Sequence, residues 1–267
     1  MSYKLEPMER EKIITALQFN NTNWQVSAKH TLMEKNSTQF FTLFENGLTD
    51  SQLIEYMLYK NYKSIVQNSF QPATEKLKLI KRLSISRNQF FNLEFNLLEE
   101  GAKTATLTFG RQTSREEIQA EVCDFIGMSA ESTRASKVLQ TIEELLMNVQ
   151  VTSANTKTAA GQALSYLKLE CSDNLIAISA FDDCGSLDSK KFLKKIESGL
   201  SLGLDKSINF GKGGAGLGSS YIFKNCDSLF LGVNTSKKTR VSVIMPYNVT
   251  ERKFDGLQRS VHIIDIK

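Results

Sequence analysis

Three short stretches of this chain combine residue types and spacings suited to chemistry. The first is "EELLMN", 143–148, in which Glu144 and Asn148 stand four apart. On a helix that spacing puts a carboxylate and an amide oxygen on one face. Such a pair suits a hard cation like Mg²⁺, or a general base beside one, and it equally suits an ordinary solvated helix face. The second is "FDDCG", 181–185, at the end of an apolar run. An acidic residue at a strand's exit can aim its carboxylate at an amine while a following glycine leaves room for a flat ring. Alternatively, Asp and Gly there serve turn geometry alone. The third is "GKGGAGLGSSYIF", 211–223, with five glycines in its first eight positions. Glycines opening a helix bring main-chain N–H groups against phosphate, with Lys212 able to add charge. The stretch is not a Walker loop, because Lys212 precedes the glycines, and it follows no first strand as a Rossmann loop does.

The elements that must position these stretches can be read from periodicity and caps. "KTATLTFG" alternates and predicts a strand. "TSREEIQAEVCDFIG" opens on Thr113 or Ser114 with Glu116 and Glu117 behind and closes on Gly127, which predicts a helix. A second cap, "SAES", opens a long helix to about Val149, with Val138, Ile142, Leu145 and Val149 as its apolar stripe. "ALSYLKLECSDNLIAISAFDD" reads as two strands turning at Ser172-Asp173-Asn174, "SLDSKKFLKKIESGL" as an amphipathic helix ending at Gly199, and "LGSSYIFKNC" as another helix. "DSLFLGVN" and "TRVSVIMP" form a second hairpin stopped by Pro246. The order β-α-α-β-β-α-loop-α-β-β predicts an α+β fold, an α/β sandwich with a mixed, mostly antiparallel sheet and helices on one face.

Residues 1–100 read as mainly helical, of sensing, dimerising or docking role. Glu6–Leu17 is one helix; Thr49 or Asp50 caps another bearing Leu53, Ile54, Met57, Leu58 and Ile65; and a basic helix, Glu75–Leu83, follows Pro72. "NQFFNLEFNLLEEG", 88–101, fits strand or helix, and 251–267 reads as a C-terminal tail. With 267 residues, 41% of them hydrophobic, and a net charge of +4, the composition is that of a globular protein without the basic runs of a nucleic-acid binder. No stretch is apolar enough to span a membrane, and "MSYKLEPMEREK" lacks a signal core. The four cysteines have no CxxC spacing and only two histidines could join them, so a zinc site is not expected and a reducing cytoplasmic setting is.

Taken in order, the three stretches resemble the ATP-binding domain of the gyrase, chaperone, histidine-kinase and mismatch-repair superfamily, the Bergerat fold. E-x-x-x-N on a helix is similar to its asparagine box, and the D-x-G turn and G-x-G-L-G segment to its two glycine boxes. The resemblance covers roughly residues 102–248, and its opening strand, helix and long helix are closest in layout to the bacterial anti-sigma-factor serine kinases. It implies ATP and Mg²⁺ as cofactors. Asn148 would hold the metal, Glu144 would be the general base, and Asp183 would accept the adenine amino group beside Gly185. Lys212, Gly214, Gly216, Leu217 and Gly218 would wrap the phosphates. Three positions depart from the pattern: Leu187 stands for a glycine, Val149 for an alanine and Ser219 for a bulky apolar residue.

The function implied is serine/threonine phosphorylation of a protein partner, an antagonist or sigma-like regulator, by a homodimer in bacterial signal transduction. The alternatives are an ATP sensor without turnover and an orphan histidine-kinase catalytic subunit, since His30 lacks the context of a phosphoacceptor.

Overall fold

Local capping signals set where several helices begin and end. In this computed structural model, Thr49 accepts the Gln52 N–H while the Gln52 side chain accepts the Thr49 N–H, starting helix α1, Asp50–Tyr59. Ser114 and Glu117 form the same reciprocal pair at the start of α3, Arg115–Ile126, which ends on Gly127 at φ 65°, where only glycine sits without strain. Between them lie α2, Ala73–Ile85, which starts after Pro72, and a 3₁₀ helix, Arg87–Phe91. The later helices are α4, Thr133–Asn155; α5, Ser189–Leu202; and α6, Gly218–Asn225. The structure describes residues 24–28, 31–34, 41–60, 62–98, 101–109, 114–129, 132–155, 165–202, 218–235, 237–246 and 256–266, together with 250, 252 and 254.

The strands are β1 Trp24–Ala28, β2 Thr31–Glu34, β3 Phe41–Phe44, β4 Ser64–Val66, β5 Lys103–Phe109, β6 Ser165–Cys171, β7 Leu175–Asp182, β8 Ser228–Asn234, β9 Lys238–Pro246 and β10 Ser260–Ile266. They form one sheet in the order β1-β2-β3-β4-β10-β8-β9-β7-β6-β5. Only β3 with β4 and β10 with β8 pair in parallel, so the sheet is mixed and mostly antiparallel, as its hairpins predict. From β5 to β9 the element order is the expected one.

Four features differ from the expectation. Helices cover both faces of the sheet rather than one. Ile142 and Leu145 of α4, Ile118 and Val122 of α3, Leu53 and Ile54 of α1, Leu193 and Ile196 of α5 and Phe223 of α6 pack on one face, with Ile176, Ile178 and Ala180 of β7. Leu77, Ile80 and Leu83 of α2 and Phe90 and Phe91 of the 3₁₀ helix pack on the other, with Ala177, Phe230 and Ile244. The period-2 alternation of strand side chains makes this possible, because β7 is buried on both sides. Second, residues 1–100 contribute strands as well as helices, and β1–β4 continue the sheet. Ile65 lies in β4 rather than on α1, which ends where the Lys60 N–H meets the Tyr56 carbonyl. Third, 251–267 is not a tail, since β10 runs between β4 and β8 with Val261 and Ile264 fully buried. Fourth, α5 continues past Gly199 to Leu202. The Glu6–Leu17 helix lies outside the described residues. No helix among the described residues is long and apolar enough to cross a membrane.

The rear face also holds charge. Arg240 of β9 is wholly buried. Its Nε donates to Ser242 Oγ at 2.9 Å, Nη1 to the carbonyls of Phe90 at 2.7 Å and Phe95 at 3.2 Å, and Nη2 to Ser179 Oγ at 2.9 Å. Its guanidinium lies 4.5 Å from the Phe90 ring and 4.7 Å from that of Phe181. Glu170 of β6 accepts the N–H groups of Leu97 and Leu98 at 2.7 and 2.8 Å, and Lys168 donates to the Leu93 carbonyl and to Asn96 Oδ1. The ambiguous 88–98 stretch thus owes its shape to a tertiary polar clamp rather than to its own periodicity.

Candidate functional site

Helix α4 positions the acid–amide pair. Val138, Ile142 and Leu145 are buried against the sheet, as the stripe predicts, which leaves Glu143 and Glu144 half-buried at its flank. Gln119 Nε2 of α3 donates to Glu143 Oε1 at 3.1 Å, so the two neighbouring glutamates face different surroundings. The helix continues unbroken through Asn148, one turn beyond Glu144. The side chains of Asn148 and Val149 lie outside the described residues.

Glu144 meets the end of the glycine stretch. A Cβ built on Gly218, the first residue of α6, would stand 1.9 Å from Glu144 Oε2. A Cβ there would make the Glu144 carboxylate move, so glycine at 218 lets the α6 start and that carboxylate lie in contact as they do. Further along, α6 is held by Ser220 Oγ donating to the Lys195 carbonyl at 3.2 Å and by Asn225 Nδ2 donating to Thr141 Oγ1 at 3.5 Å. Gly199 of α5 serves the same close approach, since its Cβ would fall 2.1 Å from Ser220 Oγ. Lys212, Gly214, Gly216 and Leu217 lie outside the described residues, so Gly218 is the member of the phosphate-wrapping set that the structure places.

At the acidic turn the structure distinguishes two adjacent aspartates. Asp183, chosen from the D-x-G spacing, lies past the end of β7 and is exposed. Asp182 is the last residue of the strand and is 2% exposed. Ile176, Ile178 and Ala180 share the α4 face, and period-2 alternation puts Asp182 there with them. Its Oδ1 accepts the N–H groups of Cys184 at 2.8 Å and Gly185 at 3.3 Å, and Gly185 takes φ 59° to close the turn. The turn-geometry reading of Asp and Gly is therefore realised, by Asp182. Burial raises the Asp182 carboxyl above its usual range, and the Cys184 amide works against that shift. Thr239 of β9, in register with Asp182, is buried with its hydroxyl close to the carboxyl but outside hydrogen-bond geometry. Motif spacing points to Asp183, whereas the strand's own alternation marks Asp182 as the buried carboxylate of this turn.

Two of the three stretches are thus brought together, Glu144 with Gly218, and the third ends on the sheet face against which α4 packs. Leu187, one of the departures, packs against the apolar cluster of that face. Cys171, Cys184 and Cys226 are buried, Cys123 is half-buried, and all four are free thiols, in keeping with small apolar roles. Burial pushes the Cys226 thiol up to about 12. Among the described residues no three His, Cys, Asp or Glu side chains cluster as a metal cage. A Mg²⁺ bound chiefly through phosphate oxygens needs only one or two protein oxygens, and a carboxylate on the helix that also carries Asn148 fits that requirement. No model of a known protein family matches this chain, and none of the curated proteins matches it in sequence.

Proposed function

We propose that the chain binds ATP with Mg²⁺ between α4, the β7 exit turn and the start of α6, and transfers phosphate to a serine or threonine of a protein partner. The observation that carries this reading is the contact of Glu144 with Gly218, which joins an acid on one helix to the glycine-rich entrance of another 74 residues later in the chain. In this reading Asp182, not Asp183, accepts the adenine amino group. A carboxylate selects that amine over the carbonyl guanine has in its place, and Thr239 stands beside it with an unused hydroxyl. Gly185 keeps the turn low enough for a flat ring. Glu144 takes the proton from the attacking hydroxyl, and main-chain amides at the start of α6, with Lys212, neutralise phosphate charge. Mg²⁺, when bound, supplies charge neutralisation between the phosphates. The partner would be an antagonist or sigma-like protein and the kinase a homodimer, as in the proteins the sequence resembles.

A second reading, ATP sensing without turnover, is favoured by Leu187. Its side chain is spent on core packing where that superfamily keeps a glycine in its nucleotide loop. Calorimetry with Mg·ATP, followed by phosphate transfer in partner pull-downs, separates the two. Asp182→Asn keeps the oxygen that accepts the Cys184 and Gly185 amides but removes the charge. The expected result is loss of ATP binding in Asp182→Asn, retention in Asp183→Asn, and loss of transfer alone in Glu144→Gln. Binding with no transfer to any retained partner leaves the sensor. No binding of ATP or ADP at millimolar levels refutes both.

A further inference from the structure

A cleft distinct from the proposed nucleotide site is lined by residues from 46–70 and from 252–258. Strands β3 and β4 are parallel, and in parallel sheets ligands bind outside the carboxyl ends of the strands. There the loops leaving β3 and β4 meet the segment that leads into β10 and enclose an open cleft of about 650 Å³, within the range of small-molecule sites. Asn46, Asn68, Ser69, Phe70, Arg252 and Gln258 are among its lining residues, and among the described residues the lining contains no carboxylate.

The hydrogen bonds around this cleft are one-sided. The Asn68 N–H donates to Asn46 Oδ1 at 2.6 Å, and the Ala73 N–H to Asn68 Oδ1 at 3.2 Å. The Gly47 N–H donates to Gln258 Oε1 at 3.2 Å, and the Gln258 N–H to Ser69 Oγ at 3.1 Å. A main-chain N–H can only donate, so each bond fixes which end of the amide is oxygen. Each of these side-chain oxygens therefore already accepts a main-chain N–H in holding the loops. What remains without a partner among the described residues is a set of donors: the NH₂ groups of Asn46, Asn68 and Gln258, the Ser69 hydroxyl hydrogen and the Arg252 guanidinium. Phe70 adds a half-buried apolar wall.

We propose that this cleft binds a small organic anion rich in acceptor oxygens, such as a polycarboxylate or a sugar phosphate. Among the described residues these free donors outnumber the acceptors, whose oxygens each already hold a main-chain N–H. That favours such a ligand over a neutral polyol, which needs acceptors for its hydroxyl hydrogens, and over a cation. A guanidinium pairs with carboxylate or phosphate through two parallel N–H groups. The site gives the first hundred residues a ligand-binding role, and it stands independently of the nucleotide reading.

Titration calorimetry of the full chain with citrate and with glucose 6-phosphate tests this, and the anion that binds identifies the source of the negative charge. At least one should bind with Kd below about 1 mM. Asn68→Asp and Gln258→Glu keep the oxygen that each main-chain N–H needs and replace only the NH₂ group. These two variants and Arg252→Gln should each weaken binding at least tenfold while leaving the melting temperature of the free protein and its Mg·ATP titration unchanged. No binding of either anion at about 10 mM overturns the proposal. So does equal binding of glucose and glucose 6-phosphate, or affinity that survives Asn68→Asp.

Discussion

Replacing Arg240 with Met tests how the rear clamp holds the 88–98 stretch to the sheet. Met retains much of the volume and removes four donated hydrogen bonds, two to main-chain carbonyls and two to serine hydroxyls, all within a site with no access to water. It also removes a cation 3.9 Å from Glu170 Oε1, leaving that buried carboxylate with Lys168 at 4.0 Å. Burial already pulls the Arg240 guanidinium down to about 9 and raises the Glu170 carboxyl, so the charges are costly and their hydrogen bonds and mutual attraction offset that cost. Breaking one member of such a buried set costs about 3–5 kcal/mol, a large share of the roughly 5–15 kcal/mol that keeps a domain folded. With a urea m-value of about 3 kcal/mol/M, the midpoint followed by far-ultraviolet circular dichroism should fall by roughly 1–2 M. Hydrogen exchange at the Leu97 and Leu98 amides should accelerate beyond the global change, because their acceptor Glu170 is loosened. Combining Arg240→Met with Glu170→Gln should cost less than the sum of the two by about 1–2 kcal/mol, since each removes the other's counter-charge. A midpoint shift below about 0.3 M, or strict additivity, would refute this account of the clamp.

Two further outcomes follow from close contacts. Gly218→Ala puts a methyl into the space of Glu144 Oε2, and because that oxygen is the far end of a flexible side chain the carboxylate should turn aside at a cost of about 1 kcal/mol or less, read by thermal melting, whereas a loss above about 3 kcal/mol would refute that freedom. His262 is wholly buried, with Nδ1 2.7 Å from Ser64 Oγ, Nε2 without a partner and its ring 4.6 Å from that of Phe230. Burial first, and the Lys76 ammonium second, hold its imidazole well below the usual range. Since the unfolded chain takes up that proton first, stability should decline as pH falls below about 6.5, by up to about 1.4 kcal/mol per pH unit. His262→Gln should lack that part of the slope in urea titrations at pH 7, 6 and 5, and parallel curves for the two proteins would refute it.

Where a segment's fate was local, its sequence expressed it. The Ser114–Gly127 helix carries its own caps, and the Ser172–Leu175 turn carries its own hairpin signal, so both appear where expected. Where the deciding partner is remote, local pattern pointed elsewhere. Lys168 and Glu170 alternate with Leu167 and Leu169 as on a half-solvated strand, yet the 92–98 stretch covers them. Lys76 belongs to a helix of basic composition, but its ammonium is buried 2.6 Å from Asp227, and no spacing rule reaches across 150 residues. At the acidic turn, motif spacing pointed to the exposed Asp183, and strand parity was needed to see that its neighbour Asp182 is the buried one. The glutamate's contact with Gly218 depends on how two helices cross, which no single segment encodes.

The insertion of β10 between β4 and β8 has a consequence for synthesis. Ser64 and His262, neighbours in the finished sheet, are 198 residues apart, so at about 5–20 residues per second some 10–40 s separate their appearance. Through that interval β4 presents an unpaired ladder on one side, joined in its last few seconds by β8, Ser228–Asn234, and each is a template for wrong pairing. A nascent chain of this protein should therefore lean on a holding chaperone until its final strand arrives, and a ribosome stalled shortly before residue 260 should release an aggregation-prone polypeptide.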